Sequence, residues 1–178
     1  SFINLKTLSP SEILYANIKK GDEMEDKLIF KGAIFDVVQK DVMLNGQQVT
    51  RDLVIHNGGV SLCVIDKGKI LLVSQSRTGA GCRTLEIPAG TLEPGEDPAQ
   101  CGRRELNEEA GLECGQMKLI TAFWPTPGYD TEVIYVYDCQ DPTPAKVRRP
   151  MDDTEDIETT WIDLDQAAKM IEDGSIRD

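Results

Sequence analysis

Three glutamates crowd one turn of chain within GTLEPGEDPAQCGRRELNEEAGL, residues 90 to 112. On a helix advancing about 100° per residue, with Glu105 at zero, Glu109 falls at about +40° and Glu108 at about −60°, so the three carboxylates share one face. Two unit charges about 5 Å apart repel by roughly 1 kcal/mol in water and roughly 3 kcal/mol at an effective dielectric of 20. Two arrangements relieve that repulsion. One is a face left in bulk water, the usual fate of an E-x-x-E-E run; the other seats cations among the carboxylates. The second would let an acidic chain handle a small phosphorylated substrate, because cations or a few well-aimed arginines reverse the local field.

The elements that must position these side chains are readable around them. Asp97 suits an N-cap, Pro98 the first helical position and Gly111 the residue past the end, which predicts a helix over about 98–110. Gly102, Leu106, Ala99 and Ala110 fall between about +60° and +140° on the same wheel, an apolar stripe that docks the helix on a sheet and aims the acidic stripe alongside it. Upstream, β-branched and aromatic residues recur from Lys27 to Gln39 and from Gln47 to Ile55, with Asn45-Gly46 between them as a hairpin turn. VSLCVID and KILLVSQ flank Asp66-Lys67-Gly68 as a second hairpin, apolar enough for a core. A Gly-rich loop over 76–84 leads into the short strand TLEIP. Strands are predicted over about 116–123 and 132–139, then a Pro-rich charged loop over 140–154, the strand IETTWID and a final helix capped by Asp165. A short helix is predicted over 9–20, opened by Ser9-Pro10 and closed by Gly21. Strands on both sides of a central helix, with another helix at the end, make a mixed α/β or α+β domain.

At 178 residues the chain suits one domain, without repeat or linker. Its 31 acidic and 19 basic residues give a formal charge of −12, which repels nucleic acid polymers. No apolar run approaches a membrane span, and the N-terminus lacks the signature of a secretory signal, so a cytoplasmic location is expected. Five cysteines (Cys63, Cys82, Cys101, Cys114, Cys139) without C-x-x-C spacing argue against a disulfide framework or a zinc knuckle. The lone His56 reads as a strand-end residue and offers no histidine-based metal site.

Gly90, five residues, Glu96, seven residues, Arg104-Glu105-Leu106, one residue, Glu108-Glu109, one residue, Gly111-Leu112 is the complete pattern of the Nudix box. The sequence resembles the Nudix hydrolases, with no departure at a defining position. The resemblance implies an α/β/α sandwich around a mixed β-sheet, with an N-terminal antiparallel strand extension. It implies a single unit over 1–178, in which 1–56 form the extension used in dimerisation and 57–178 the catalytic core. The implied chemistry is hydrolysis of a nucleoside diphosphate linked to another group, with a divalent metal, Mg²⁺ or alternatively Mn²⁺. Such hard ions prefer oxygen ligands and keep several waters, which suits a shallow acidic face. By similarity Glu105 and Glu109 are the principal ligands, Glu108 assists directly or through water, and the carbonyl of Ala89 completes the set. Arg104 orients the carboxylates by bidentate hydrogen bonds, and Glu96 fixes the loop.

Further along, FWPTPGYDTEVIYVYD places Pro127 sixteen residues after Gly111. With LEIPAG before the box and QSR at 75–77, where relatives often carry Q-Y-R, the chain resembles the ADP-ribose pyrophosphatase subgroup over roughly 27–178. Ser76 departs from the aromatic common there. The resemblance offers Arg51 and Arg77 for phosphate and ribose contacts, Arg51 across a homodimer interface; without it, both read as exposed strand-end arginines. Trp124 and Tyr129 either stack the adenine or pack the core, whereas Phe123 reads as core. Within RRPMDDTEDIE the resemblance points to Glu155 as general base, with Asp153 and Asp156 as neighbours easily mistaken for it. The readings in play are an ADP-ribose pyrophosphatase, a UDP- or GDP-sugar pyrophosphatase, and a non-catalytic nucleotide-binding module.

Overall fold

A computed structural model of the chain describes residues 26–151 and 156–178. The helix anticipated over 9–20 lies outside the described residues, as do Asp153 and Glu155. Ten strands and two helices follow one another in these segments. Strands β1 (Lys27–Lys31), β2 (Phe35–Leu44) and β3 (Gln47–His56) form an antiparallel three-stranded sheet. The stretch read as one strand from Lys27 to Gln39 is therefore two. The chain reverses at Gly32, whose N–H donates to the Phe35 carbonyl at 3.1 Å. A Cβ there would lie 2.4 Å from that oxygen, so only glycine makes this reversal. At the β2–β3 turn Asn45 and Gly46 both take positive φ, 51° and 77°, as a two-residue hairpin demands.

A second, mixed sheet carries the core. Its strand order is β10 (Glu158–Asp163), β5 (Lys69–Arg77), β4 (Gly59–Asp66), β9 (Ile134–Pro144), β8 (Leu112–Phe123), with β6 (Cys82–Glu86) paired to β5 and β7 (Ala89–Thr91) paired to β4. Strand β4 runs parallel to β9 (Ile134–Pro144), from Gly59 opposite Ile134 to Val64 opposite Cys139. It meets β5 only beside their turn, at Ile65 and Asp66. Past that point the two strands splay, and the segment 82–91 enters the opening, β6 along β5 and β7 along β4. This splay delivers Ala89 and Gly90 to the foot of the central helix.

Helix α1 (Pro98–Ala110) begins as the sequence indicates: the Asp97 side chain accepts from the Gln100 N–H at 3.0 Å, and Gly111 closes the helix at φ 64°. Leu106, Cys101 and Gly102 press it onto β4, β7 and β8 (Leu112–Phe123). Around Leu62, Val60, Val64, Leu71, Tyr135 and Tyr137 they complete one apolar cluster.

Four boundaries differ from expectation. The Gly-rich loop shrinks to 78–81, because residues 82–84 pair with β5. Strand β8 starts directly after the helix, and β9 runs on to Pro144, opposite Leu112. Beyond Cys139 strand β9 has lost its β4 neighbour, so Pro142 and Pro144 sit where missing N–H donors are tolerated. The last helix, α2 (Leu164–Glu172), follows β10 (Glu158–Asp163) with Asp163 at its N-cap position; Asp165 lies inside the first turn, where its charge meets the positive helix end. Phe123, expected in the core, ends β8 exposed, while the next residue, Trp124, packs on the core.

Replacing Asp97 by Ala removes the acceptor for the first turn of α1 and is expected to lower stability by about 1 kcal/mol. Urea unfolding followed by circular dichroism reads this as a lower midpoint at unchanged slope.

Candidate active site

The acidic face of α1 is not a solvated one. Glu105 is 8% exposed and Glu109 3% exposed, and only the Glu108 side chain, at 21%, meets solvent appreciably. Burying carboxylates this close together requires specific partners, since an uncompensated buried charge costs several kcal/mol. Arg104 is the first partner. Its Nε and Nη2 donate to the two Glu96 oxygens at 3.0 and 3.1 Å, a bidentate pair. Its Nη1 donates to Glu105 Oε1 at 2.7 Å and to Glu108 Oε2 at 3.1 Å, and Nη2 also reaches the Thr91 carbonyl at 3.3 Å. One guanidinium thus ties the loop before the helix, the end of β7 and two carboxylates together. The hydrogen bonds to Glu96, followed by the nearby charge of Glu105, raise Arg104 above its ordinary pKa, and the Arg104 hydrogen bonds lower Glu96 below its own. Glu96 also accepts the Glu93 N–H at 3.0 Å, the loop-fixing role expected of it.

Backbone supplies the second partner. The Ala89 N–H donates to Glu109 Oε2 at 3.2 Å, bringing the Ala89 peptide beside the box carboxylate. Gly90 makes room: a Cβ on it would sit 1.9 Å from Glu105 Cδ. The first glycine of the motif is therefore required by the close approach of a carboxylate to the strand. Cys101, buried under this face, is no nucleophile, because burial pushes its thiol well up.

Arg77 partners another buried carboxylate, that of Glu86. Its Nε and Nη2 donate to Glu86 at 2.8 and 2.5 Å, and Glu86, 1% exposed, also accepts from Gln75 Nε2 at 3.2 Å and from Thr84 Oγ1. Burial raises the Glu86 pKa, but the hydrogen bonds from Arg77, Thr84 and Gln75 outweigh it and hold the carboxylate below its ordinary value. The hydrogen bonds to Glu86 raise the Arg77 pKa above its ordinary value, and the charges of Glu86, Asp178 and Glu109 add to this; its guanidinium is half-exposed. Glu86, Gln75 and Thr84 were given no role from sequence; the available signal was a glutamate between the apolar Leu85 and Ile87.

The remaining candidates are placed elsewhere. Arg51 stands on β3, opposite Lys40, and its guanidinium donates to the carbonyl of the neighbouring Thr50 at 3.1 Å, not to any box residue. Tyr129 is exposed; its carbonyl accepts the Val54 N–H at 2.7 Å and so joins the two sheets. Asp156 is taken up by the β5–β6 hairpin: it accepts the Ser76 N–H at 3.1 Å and hydroxyl at 2.9 Å and pairs with Arg83. Ser76, where an aromatic was expected, is thereby a partner of Asp156. His56 ends β3 as expected, its Nδ1 accepting the Gly58 N–H at 3.1 Å.

The donor set fits a hard divalent ion: three carboxylates within one helical turn, the Ala89 peptide beside them and a glycine that keeps the floor open. As placed, no three His, Cys, Asp or Glu side chains among the described residues converge in ligand geometry. Arg104 Nη1 bridges Glu105 and Glu108 in that arrangement.

Residues 56–177 match the NUDIX domain. This chain belongs to the Nudix family. Nudix hydrolases use divalent metal ions, and the chain is a Nudix pyrophosphohydrolase similar to the ADP-ribose pyrophosphatases. It is 37% identical over 152 residues to the ADP-ribose pyrophosphatase of Bacillus subtilis (strain 168), covering 84% of this chain and 82% of that one. It is 36% identical over 152 residues, with the same coverage, to the methanol dehydrogenase activator of Bacillus methanolicus. A crystal structure of an ADP compounds hydrolase superposes with a TM-score of 0.73 over 89% of each chain at 18% identity, which bears on the fold. No helix among the described residues is long and apolar enough to cross a membrane.

Gly90→Ala is expected to displace Glu105 and lower the metal-dependent rate by roughly a hundredfold, as misplacements of about 1 Å do, with an unchanged far-ultraviolet spectrum. Glu86 and Glu96 are both held below their ordinary pKa of 4.5, so the stability they contribute is fully present above that pH and is lost as pH falls through their folded-state values. Urea midpoints measured from pH 6 down to about pH 3 should fall more steeply in the parent than in Glu86→Gln.

Proposed function

We propose that the protein hydrolyses the diphosphate linkage of ADP-ribose to AMP and ribose 5-phosphate in a Mg²⁺-dependent reaction, Mn²⁺ being the alternative ion. The observation that carries this reading is the buried carboxylate face of α1, organised by Arg104. Glu105, Glu109, Glu108 and the Ala89 carbonyl would hold the ion, which when bound polarises a phosphoryl oxygen and lowers the pKa of water. Arg104 keeps Glu105 and Glu108 oriented, and Glu86 presents Arg77 to the diphosphate oxygens. A water oxygen adds to phosphorus, the bridging P–O bond breaks, and the water proton passes to a carboxylate base. Glu155, outside the described residues, is the base that the resemblance favours. Asp156 is engaged by Ser76 and Arg83 and is the weaker choice. Trp124 and Tyr129 are the candidates to meet the adenosine.

We further propose a cytoplasmic homodimer in which residues 1–56 are the dimerisation extension of one functional unit. The β1–β3 sheet leaves Leu28, Ile29, Phe30, Ile34, Met43 and Leu44 exposed, an apolar surface that favours association. Arg51, on that sheet, would then serve a partner's site. Five free thiols suit a reducing compartment.

A relative of nearly equal identity carries a different name, so overall similarity does not fix the leaving group. Hydrolysis rates with ADP-ribose, UDP-glucose, GDP-mannose and dinucleoside polyphosphates decide it: ADP-ribose is expected among the fastest, and a slow rate with it contradicts the substrate assigned here. Glu109→Gln should lower turnover by at least about a hundredfold without unfolding the protein, more than loss of an outer partner does. Equal rates in variant and parent would favour a nucleotide-binding module instead.

A further inference from the structure

Asn107 occupies the one position between Leu106 and Glu108 that the motif leaves free, yet it is 8% exposed and fully engaged. Its Nδ2 donates to the Val147 carbonyl at 3.0 Å, and its Oδ1 accepts the Arg149 N–H at 2.8 Å. The segment 145–149 is laid along the end of α1 by further bonds. The Ala145 N–H donates to the Gly111 carbonyl at 2.9 Å, and the Lys146 N–H to Glu113 Oε1 at 3.2 Å. The Arg148 side chain lies where a Cβ on Gly111 would meet it at 3.4 Å. A buried side-chain amide that clamps the backbone at Val147 and Arg149 fixes where the Arg149 side chain starts. Its guanidinium then reaches Glu108 Oε1, with Nη1 at 3.6 Å.

That contact is loose. It is longer than a hydrogen bond and uses one nitrogen, and the Arg149 side chain is 57% exposed, so it makes a poor case for stability. It leaves most of the guanidinium donors turned to solvent at the rim of the carboxylate face. On the helix wheel Glu108 and Glu109 stand about 100° apart on either side of Glu105. Arg149 approaches from the Glu108 side. Arg104 meets Glu108 Oε2 and Arg149 approaches its Oε1, so Arg149 is the exposed guanidinium at this edge of the face, its backbone set by the buried Asn107.

We propose that Arg149 is a second diphosphate-binding residue of this site and that Asn107 is the positioning residue that aims it. The proposal rests on the diphosphate reading of the site and not on the identity of the nucleotide. On ligand arrival the Arg149 donors exchange the long, single-nitrogen contact with Glu108 for hydrogen bonds to phosphate oxygens, which are stronger because they form at hydrogen-bond length and in bidentate geometry.

Binding of ADP in MgCl₂, measured by isothermal titration calorimetry, tests this without turnover. Arg149→Gln should weaken ADP binding by about tenfold to a hundredfold, the range of hydrogen bonds to charged groups, and Arg149→Lys should recover part of the loss. Asn107→Ala should weaken it in the same direction, and the double variant should bind within about twofold of Arg149→Gln, since linked residues are not additive. An exposed surface pair with a structural role alone would leave ADP affinity unmoved. Arg149→Gln within twofold of the parent overturns the proposal, and losses that multiply in the double variant overturn the role of Asn107. A parent that binds ADP but leaves ADP-ribose uncleaved contradicts the substrate reading alone. A parent that binds no ADP overturns both.

Discussion

The interaction on which the rest of this structure depends is the one between Arg104 and the carboxylates around it. A single guanidinium meets Glu96, Glu105 and Glu108 and the carbonyl of Thr91. Without it the helix would hold buried like charges about one turn apart, and the dielectric of a half-buried site makes that repulsion several times larger than in water. The helix can therefore dock on the sheet only with the acidic face already organised. Gly90 contributes space, the Ala89 N–H contributes a donor, and the N-cap at Asp97 fixes where the helical turns begin, hence which way the glutamates point.

An arginine that neutralises only part of a cluster leaves it strongly acidic, and this gives the face its chemistry. Salt bridges of this kind are weak grounds for stability, because apolar residues of the same size would pack as well or better. Their presence is better explained by geometry: the carboxylates are held in one fixed arrangement, with Arg104 bridging Glu105 and Glu108 and Arg149 beside Glu108. The apolar cluster around Leu62 and Leu106 supplies stability beneath them. The two layers of the helix thus divide the work, the apolar stripe anchoring it and the acidic stripe facing the site.

What the sequence made legible was local. The cap, the helix, its closing glycine and the two hairpin turns are each written within a few residues, and the box spacing identified the carboxylates. What it concealed depends on partners far along the chain. Glu86 looks like a misplaced charge in a strand until Arg77, Thr84 and Gln75 are beside it. Asn107 carries no local signal, because its partners are 40 and 42 residues away. The extension of β9 through Pro142 and Pro144 was hidden because proline reads as a breaker, and only the absence of β4 at that end explains why it is tolerated. Phe123, expected in the core, is exposed at the end of β8, whereas Trp124, just past the strand, packs on the core, one of the two places open to it.

The proposed chemistry depends on the carboxylate face of α1 holding divalent ions against a diphosphate. Titration of the protein with Mn²⁺, read as loss of the free-ion signal in electron paramagnetic resonance, tests that most directly when done with and without ADP. Bound Mn²⁺ that tightens on adding ADP, and that is lost in Glu105→Gln, is the predicted result. A free-ion signal undiminished by protein, or diminished equally by the parent and by Glu105→Gln, would contradict it.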